Sequence, residues 1–556
     1  LTDRETRRRG SRRRREADAT PPVERRVDYR HLTNPFEPAR VYSDDQIEQI
    51  HQTALRVLEE LGVKILLPDA RARLREGGVD VDEASMQARF DREVVRDAVA
   101  SAPSTIRMQG ADDDSALTWG DRQVTWCPVG GAPHISDLDD GKRPGTLEAT
   151  ENIIRLAEHY DVMHVQSPNV EPQDVPPELR HYATMRAQLV LSRKVPFLFS
   201  RGAPQVEDGF RMMRIMRGLS EDTFRETPCI YTVINTNSPL ILDNPMLQGL
   251  IDFAKAGQPS VITPFTLSGA MAPVTVAGAL VQQHAEFLAA LVVTQLTRPG
   301  APVVYGAFTS NVDMKSGSPA FGTPENVRAA FASGQLARFV DIPWRSSMPS
   351  ASNAVDAQSI YESQMALWGA ALGGAHLVLH AAGWIEGGLT ASMEKFIIDI
   401  EMLQQMAELM QPVPFDEAEL AFEAIKEVGS GGHFFGAAHT MERYRTAFYA
   451  PFVSDWSNFG QWTEAGAKTA TERANAIWKQ VLRDFEPPAI DPAKIEELDA
   501  FIAKRTNARK RAAHHPRASG GWYDHIIWFT LSSPGSAVCG QVFQCCSELQ
   551  KLKTHQ

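Results

Sequence analysis

Between Thr146 and Gln411 the chain switches repeatedly between two hydrophobic periods. Segments with apolar residues three and four apart, such as LEATENIIRLAEHY, MLQGLIDFAKAG and PENVRAAFASGQLARF, predict helices. Short β-branched or aromatic runs follow them: 161–168, 194–202, 228–236, 259–266, 301–310, 341–349 and 375–383. The unit recurs roughly every 35 residues, the spacing of successive helix–strand pairs. Alternation of this kind implies a parallel sheet with its helices outside. An unbroken series of seven or eight such units predicts a closed (β/α)8 barrel of TIM type, an α/β fold. Seven strands are clear, and the eighth comes either from 124–138 or from beyond Phe415.

The flanks read differently. Residues 43–61 predict a helix capped by Ser43, with Asp44 and Asp45 at its positive end and Gly62 terminating it. Further helical patterns near 68–76 and 91–103 and a β-rich stretch make residues 40–140 an N-terminal α+β layer against a barrel core at 141–411. Residues 412–511 predict a helical extension that completes or caps the barrel, including a glycine-rich loop with His433 and His439. Residues 1–39, with RRRGSRRRR, predict a disordered basic tail, and 512–556, where three of the five cysteines fall, an appended tail.

A net charge of −12 argues against a nucleic-acid partner. No run of 18 apolar residues predicts a membrane span, and the sparse cysteines show neither CxxC pairing nor metal spacing, which fits a reducing cytoplasm. No GxGxxG, P-loop or GxSxG motif is present, so nucleotide binding and serine hydrolysis lose their usual support.

In such a barrel, sites are built where strands end. Those ends supply Gln166, Arg201, Asn235, Phe265, Tyr305, Phe308, Asp313, Trp344, Arg345, His380, Trp384 and Glu386. The set is rich in rings and lacks a matched nucleophile and base, which suits an organic cation held over ring faces with a carboxylate nearby. For any one aromatic, ordinary core packing is the competing reading. His380, Glu386, His433 and His439 lack metal-motif spacing, so no metal is expected; Asp356 reads as a helix cap and Glu286 as a locally paired helix residue.

Four ordered stretches, APVVYGAFTSNVDMKSGSPAFGTPE, DAQSIYES, AAGWIEGGLTASMEKF and VGSGGHFFGAAHT, resemble the trimethylamine methyltransferase family, and the resemblance runs from about Val41 to Arg505. It implies a (β/α)8 barrel enzyme moving a methyl group from a methylated amine to Co(I) of a cobamide on a separate corrinoid protein. Where the family's trimethylamine enzymes carry pyrrolysine, this chain has Ala354, in Ala354-Val355-Asp356-Ala357-Gln358. The match is therefore to the branch acting on quaternary amines such as glycine betaine, whose nitrogen already carries the charge that makes it a leaving group. On that basis Tyr305, Phe308, Trp344 and Trp384 are expected to form the cation site, with Glu386 or Asp313 balancing it. Arg345 or His380 is expected to bind a substrate carboxylate, and the His433 loop to meet the corrinoid or its carrier. A homo-oligomer is possible. Transfer to another acceptor such as tetrahydrofolate, or a non-catalytic betaine-binding role, are the competing functions.

Overall fold

The computed structural model describes residues 27–200 and 202–514. Arg201, most of the expected basic tail and the tail after His514 lie outside the described residues.

The central element is a seven-stranded sheet. Leu32–Thr33 joins it antiparallel at one edge; the remaining strands are parallel, in the spatial order Gln123–Trp126, Leu377–Leu379, Trp344–Ser347, Val303–Gly306, Ser260–Thr263 and Thr232–Asn235. Two short parallel bridges, Val165 with Val195 and Phe197 with Tyr231, continue from the Thr232–Asn235 side. The His164 amide then donates to the Trp126 carbonyl at 2.9 Å, and the Gln166 amide to that of Val195 at 2.9 Å. Backbone hydrogen bonds thus run from Gln123–Trp126 all the way round to Gln123–Trp126 again. Each of the seven stretches read as strands takes part. The remaining member comes from the 124–138 region, so a strand placed in the N-terminal layer pairs within the central sheet.

The core divides by strand alternation. Cys127, Val165, Phe197, Tyr231, Val261, Val304 and Leu377 form one buried cluster inside the circuit. Trp126, Ile262, Tyr305, Trp344 and Val378, one residue out of phase, pack in a larger cluster against the surrounding helices. The apolar helix Val276–Thr297 is long enough to cross a bilayer, yet it is buried against its neighbours along most of its length. Below, the hairpin Ile106–Met108/Leu117–Trp119 inserts into the inner cluster, with the Gln109 amide donating to Pro228 and that of Ala111 to Arg193, both at 2.8 Å. Among the flanking elements, Ser43 caps Asp44–Arg56 with a reciprocal Gln46 bond, as expected.

Above the strands, two small sheets rise from the connecting loops. Leu267–Ser268, Ser310–Val312 and Pro319–Ala320 form one; Gly141–Pro144, His134–Asp137, Thr390–Ser392 and Trp384–Ile385 form the other. Trp384 lies in the second, and Phe265, Phe308 and Phe321 lie within two residues of strands of the first.

Candidate active site

Strand phase separates the expected site residues into two groups. Tyr305 and Trp344 are register partners and so share a face of the sheet, the outer one. The Tyr305 ring lies 4.2 Å from that of Phe287 on the helix behind it, and its hydroxyl is hydrogen-bonded to His284 Nδ1 at 3.0 Å. Trp344 lies against helix backbones where only glycine fits: a Cβ at Gly373 would come within 2.7 Å of the indole. Both rings are fully surrounded by protein and do not reach the strand-end space, which corrects their expected place in a cation site. Gln166 also points outward, its amide nitrogen donating to Ser192 at 2.9 Å.

Arg345, one residue beyond Trp344, occupies the inner face. It is 1% exposed and lies close enough to Cys127 and Tyr231 of the inner cluster to interact with them electrostatically. Its guanidinium carbon sits 5.4 Å over the Phe308 ring, and Nη1 donates to the Ala307 carbonyl at 3.3 Å. Among the described residues no carboxylate pairs with it, and its Nε has no partner. Burial pushes its pKa down to about 9. At neutral pH the fold thus encloses a cation without its counter-charge, an arrangement costing several kcal/mol unless an anion arrives.

Around Arg345 the loops bring rings together. Phe308 is 5.0 Å from Phe265, 5.4 Å from a nearly parallel Phe321, 5.6 Å from His380 and 6.4 Å from an edge-on Trp384. His380 and Trp384 rings lie 3.9 Å apart. His380 Nδ1, Trp384 Nε1 and Ser347 Oγ are buried and unpartnered, like Arg345 Nε. Buried polar atoms left without partners cost about 1–3 kcal/mol each, so their concentration here marks a space shaped for a ligand. Burial, and then the nearby Arg345 charge, hold His380 well below the usual histidine range, so its ring is neutral at pH 7.

The turn presenting these rings is strained and clamped. His380 and Glu386 both have positive φ, +59° and +54°, which costs residues with side chains on the order of 1–3 kcal/mol each. Gly388 lies so close to Trp384 that a Cβ would sit 2.3 Å from the indole. The amide of Gly383 donates to Asp399 Oδ2 at 2.9 Å, and the Lys395 ammonium, fully buried, is paired with the same carboxylate. Glu386 and Gly387 amides donate to the Ser352 and Ser350 carbonyls at 2.7 and 3.0 Å; Ser350 Oγ in turn donates to buried Glu362 at 2.8 Å. Packing and hydrogen bonds therefore hold the His380–Trp384 pair in a backbone geometry it would not adopt alone.

The remaining expected residues lie apart. Both Glu386 oxygens accept from Lys142 Nζ, at 2.7 and 2.6 Å, and one accepts from Thr390. Partial burial raises its pKa, but those two donors outweigh it and the net shift is downward. Its charge is already balanced by Lys142. Asp313 is an exposed turn residue accepting from Ser316 and from the Lys315 amide. His433 sits in an exposed loop, its one ring neighbour among the described residues being Phe435 at 6.1 Å. None of the three shares a hydrogen bond or ring contact with the Phe308 group. Ala354 is exposed in the loop before the helix Ala357–Gly373, which Asp356 caps as expected. Glu286 is paired locally as expected, accepting from Gln282 Nε2 one turn away at 2.9 Å, and over long range as well: it accepts from Ser238, from the Leu240 amide at 2.9 Å and from Thr236, fixing that loop.

Phe321 and Lys142 escaped the sequence reading. Neither ends a strand of the central sheet; both ride on loop excursions, whose return paths no local pattern reveals.

A parallel circuit of strands wrapped in helices, with unpartnered polar atoms and rings gathered at one end, defines an α/β enzyme-like site. The family description "Trimethylamine methyltransferase" matches residues 7–509, and this chain belongs to that family of methyltransferases. It is 35% identical over 467 residues to a glycine betaine methyltransferase of Desulfitobacterium hafniense, covering 84% of this chain and 97% of the relative. It is 31% identical to a trimethylamine methyltransferase of the same species, covering 84% and 93%. A crystal structure of the Methanosarcina barkeri monomethylamine methyltransferase aligns over 82% of this chain and 91% of that one, with 11% identity and a TM-score of 0.46.

Proposed function

We propose that this chain is a corrinoid-dependent demethylase of a quaternary-amine zwitterion of the glycine betaine type, built on a closed (β/α)8 barrel. The observation that carries the reading is Arg345, a buried guanidinium without a carboxylate partner among the described residues, lying beneath a group of ring faces. A betaine is the complement of that arrangement. Its carboxylate replaces the missing counter-charge at Arg345, in a charge-assisted pair. Its quaternary nitrogen, which offers no hydrogen bond, rests against Phe308, Phe265, Phe321 and Trp384, each ring contact contributing about 0.5–2 kcal/mol. Neutral His380 adds a ring and no competing charge.

The chemistry asks little else of the protein. When a methyl group leaves a quaternary nitrogen, the C–N bond breaks with its electron pair staying on nitrogen and no proton moves. No gathered residue is asked to take a proton, and His380, held well below the usual histidine range by burial, is a poor base. The nucleophile is not Cys127: burial pushes its thiol up to about 12, and the thiol is bonded to the Tyr231 hydroxyl at 3.2 Å. An acceptor must come from outside, and in the family it is the cobalt of a corrinoid carried on a partner protein, which supplies a strong nucleophile for methyl. This chain's residues orient one N-methyl toward the mouth and exclude water from it. A cytoplasmic location fits such a partner.

The test is a panel of glycine betaine, proline betaine, carnitine, choline and trimethylamine with the protein and reduced cob(I)alamin, read as methylcobalamin absorbance. Turnover with a carboxylate-bearing quaternary amine and none with choline or trimethylamine is expected. Demethylation that proceeds with tetrahydrofolate and without corrinoid would replace the acceptor, and saturable binding without any turnover would leave a binding protein.

A further inference from the structure

The segment 412–460 has almost no interior. Among these residues only Ala424, Ala437 and Val453 are buried. Its helices are short: Glu417–Leu420, Phe422–Val428 and Ala438–Arg443. Isolated helices below about 12–15 residues are marginal in water, so these gain stability only from packing. Yet the side chains that would pack face solvent. Val413, Phe415, Phe435, Phe448, Trp456 and Phe459 are 72–87% exposed.

At roughly 100–200 Å² for each of the five aromatics, the apolar surface is about 500–1,000 Å², near or above the largest patch typical of a monomer. It is also about the 800 Å² per partner that a stable interface uses. Charge is absent where the rings are densest: 428–441 and 446–454 contain no Asp, Glu, Lys or Arg. A charge-depleted aromatic centre characterises the core of an interface.

The base of the segment is firmly rooted. It leaves the helix Met393–Leu409 and returns into Ala470–Asp484, which packs on that helix. Glu401 accepts from the Phe452 amide at 2.9 Å and the Ser454 amide at 3.0 Å. A rooted arm without its own core needs a cover that is always present, because a partner that comes and goes would leave these rings in water between visits. Elsewhere among the described residues the exposed apolar side chains are scattered, as at Leu61, Leu138 and Tyr361. Among the described residues, the surface that matches the arm in extent and character is the arm itself, carried by another copy.

We propose that residues 412–460 form the interface between two copies of this chain, arm against arm about a two-fold axis. The contact is isologous, so one patch serves as both faces and both are buried at once. His433 then lies inside this contact. The proposal is independent of the methyl-transfer reading, since its test uses no substrate.

The experiment measures the mass of the full-length protein by sedimentation and mass photometry from nanomolar to micromolar concentration. Alongside it, hydrogen exchange follows the amides of 417–443 on dilution. A dimer, or a larger even assembly containing it, is expected, with arm amides protected when associated and exchanging fast when dilute. Phe435→Glu combined with Phe448→Glu should weaken association at least about 100-fold, with barrel amides still protected. A wild-type protein that is monomeric throughout would overturn the proposal, leaving another part of the chain or a different partner as the cover. Association that persists with the arm amides unprotected, or that survives the double substitution, would also overturn it by placing the contact elsewhere.

Discussion

The two ends of the central sheet put their long polar side chains to different uses. At the lower end Trp119, Thr125, His376 and His164 are bonded to the strands, although the small hydroxyls of Thr232 and Ser260 there have no partner among the described residues. Trp119 Nε1 donates to Thr125 Oγ1 at 3.0 Å, and Thr125 Oγ1 donates to the His376 carbonyl at 2.8 Å. His376 Nδ1 accepts the Trp344 amide at 3.0 Å; His164 accepts the Trp126 amide through Nδ1 and meets the Tyr29 carbonyl through Nε2, both at 2.9 Å. At the upper end Arg345 Nε, Ser347 Oγ, His380 Nδ1 and Trp384 Nε1 have no partner among the described residues. The histidines and the indole of one end are committed to holding strands together, while the guanidinium, imidazole and indole of the other are left open. That difference separates stability from chemistry.

The largest effect should come from a residue that only looked functional. Trp344→Ala removes an indole from between a strand and two helices and should cost about 3–5 kcal/mol of stability, read by denaturant unfolding. Activity that survives in whatever folds would confirm that the ring lies outside the site; a selective rise in KM would break the comparison. Arg345→Met should do the reverse: a fall in kcat/KM for a betaine of about 100–1,000-fold, from loss of roughly 3–4 kcal/mol of charge-assisted binding, with unchanged or higher thermal stability because an unpaired buried charge is gone.

His376→Ala tests the lower end. The Trp344 amide loses its acceptor, and a cost of about 1–3 kcal/mol is expected in unfolding with substrate affinity unchanged. The same histidines give a pH signature. Burial drives His376 down to about 4 and His164 to about 3, and each accepts a backbone N–H through Nδ1, so both are neutral in the fold. Below pH 6.5 the unfolded chain takes up these protons and the folded one does not. Stability is thus full above 6.5 and declines by about 1.4 kcal/mol per pH unit for each histidine as pH falls to about 4. A pH series of unfolding free energies that stays flat from 7 to 4.5 would contradict the neutral assignment. The smallest expected change is Trp384→Phe, which keeps most of the packing and weakens one ring contact: KM should rise several-fold, about 1 kcal/mol, with little loss of stability.

The strand series was legible because a parallel sheet buried on both sides writes near-continuous apolar runs: five of the seven runs read from the sequence pair in the seven-stranded sheet, and 161–168 and 194–202 join the circuit through single bridges. Phase was not legible for the same reason. Where every residue of a strand is buried, as in Val303–Gly306 and Trp344–Ser347, nothing local tells inside from outside, so Tyr305 and Trp344 looked like site residues and Phe308 looked no different from them. Asp313 and Glu386 carried the right charge, but an Asx turn and a distant Lys142 had already used it. Phe321 stood on an excursion between strands, invisible until the loop folded back.

The sequence by itself determined the order and type of the elements, because period, caps and turn residues act within a few positions along the chain. It also determined the family, because ordered motifs survive in it whatever their geometry. Tertiary structure alone decided which rings share a wall, which charges are already neutralised and which polar atoms are left wanting. Those depend on groups far apart in sequence, such as Arg345 beside Phe308 or Lys142 beside Glu386, whose meeting is set by how the sheet closes and not by anything either segment encodes.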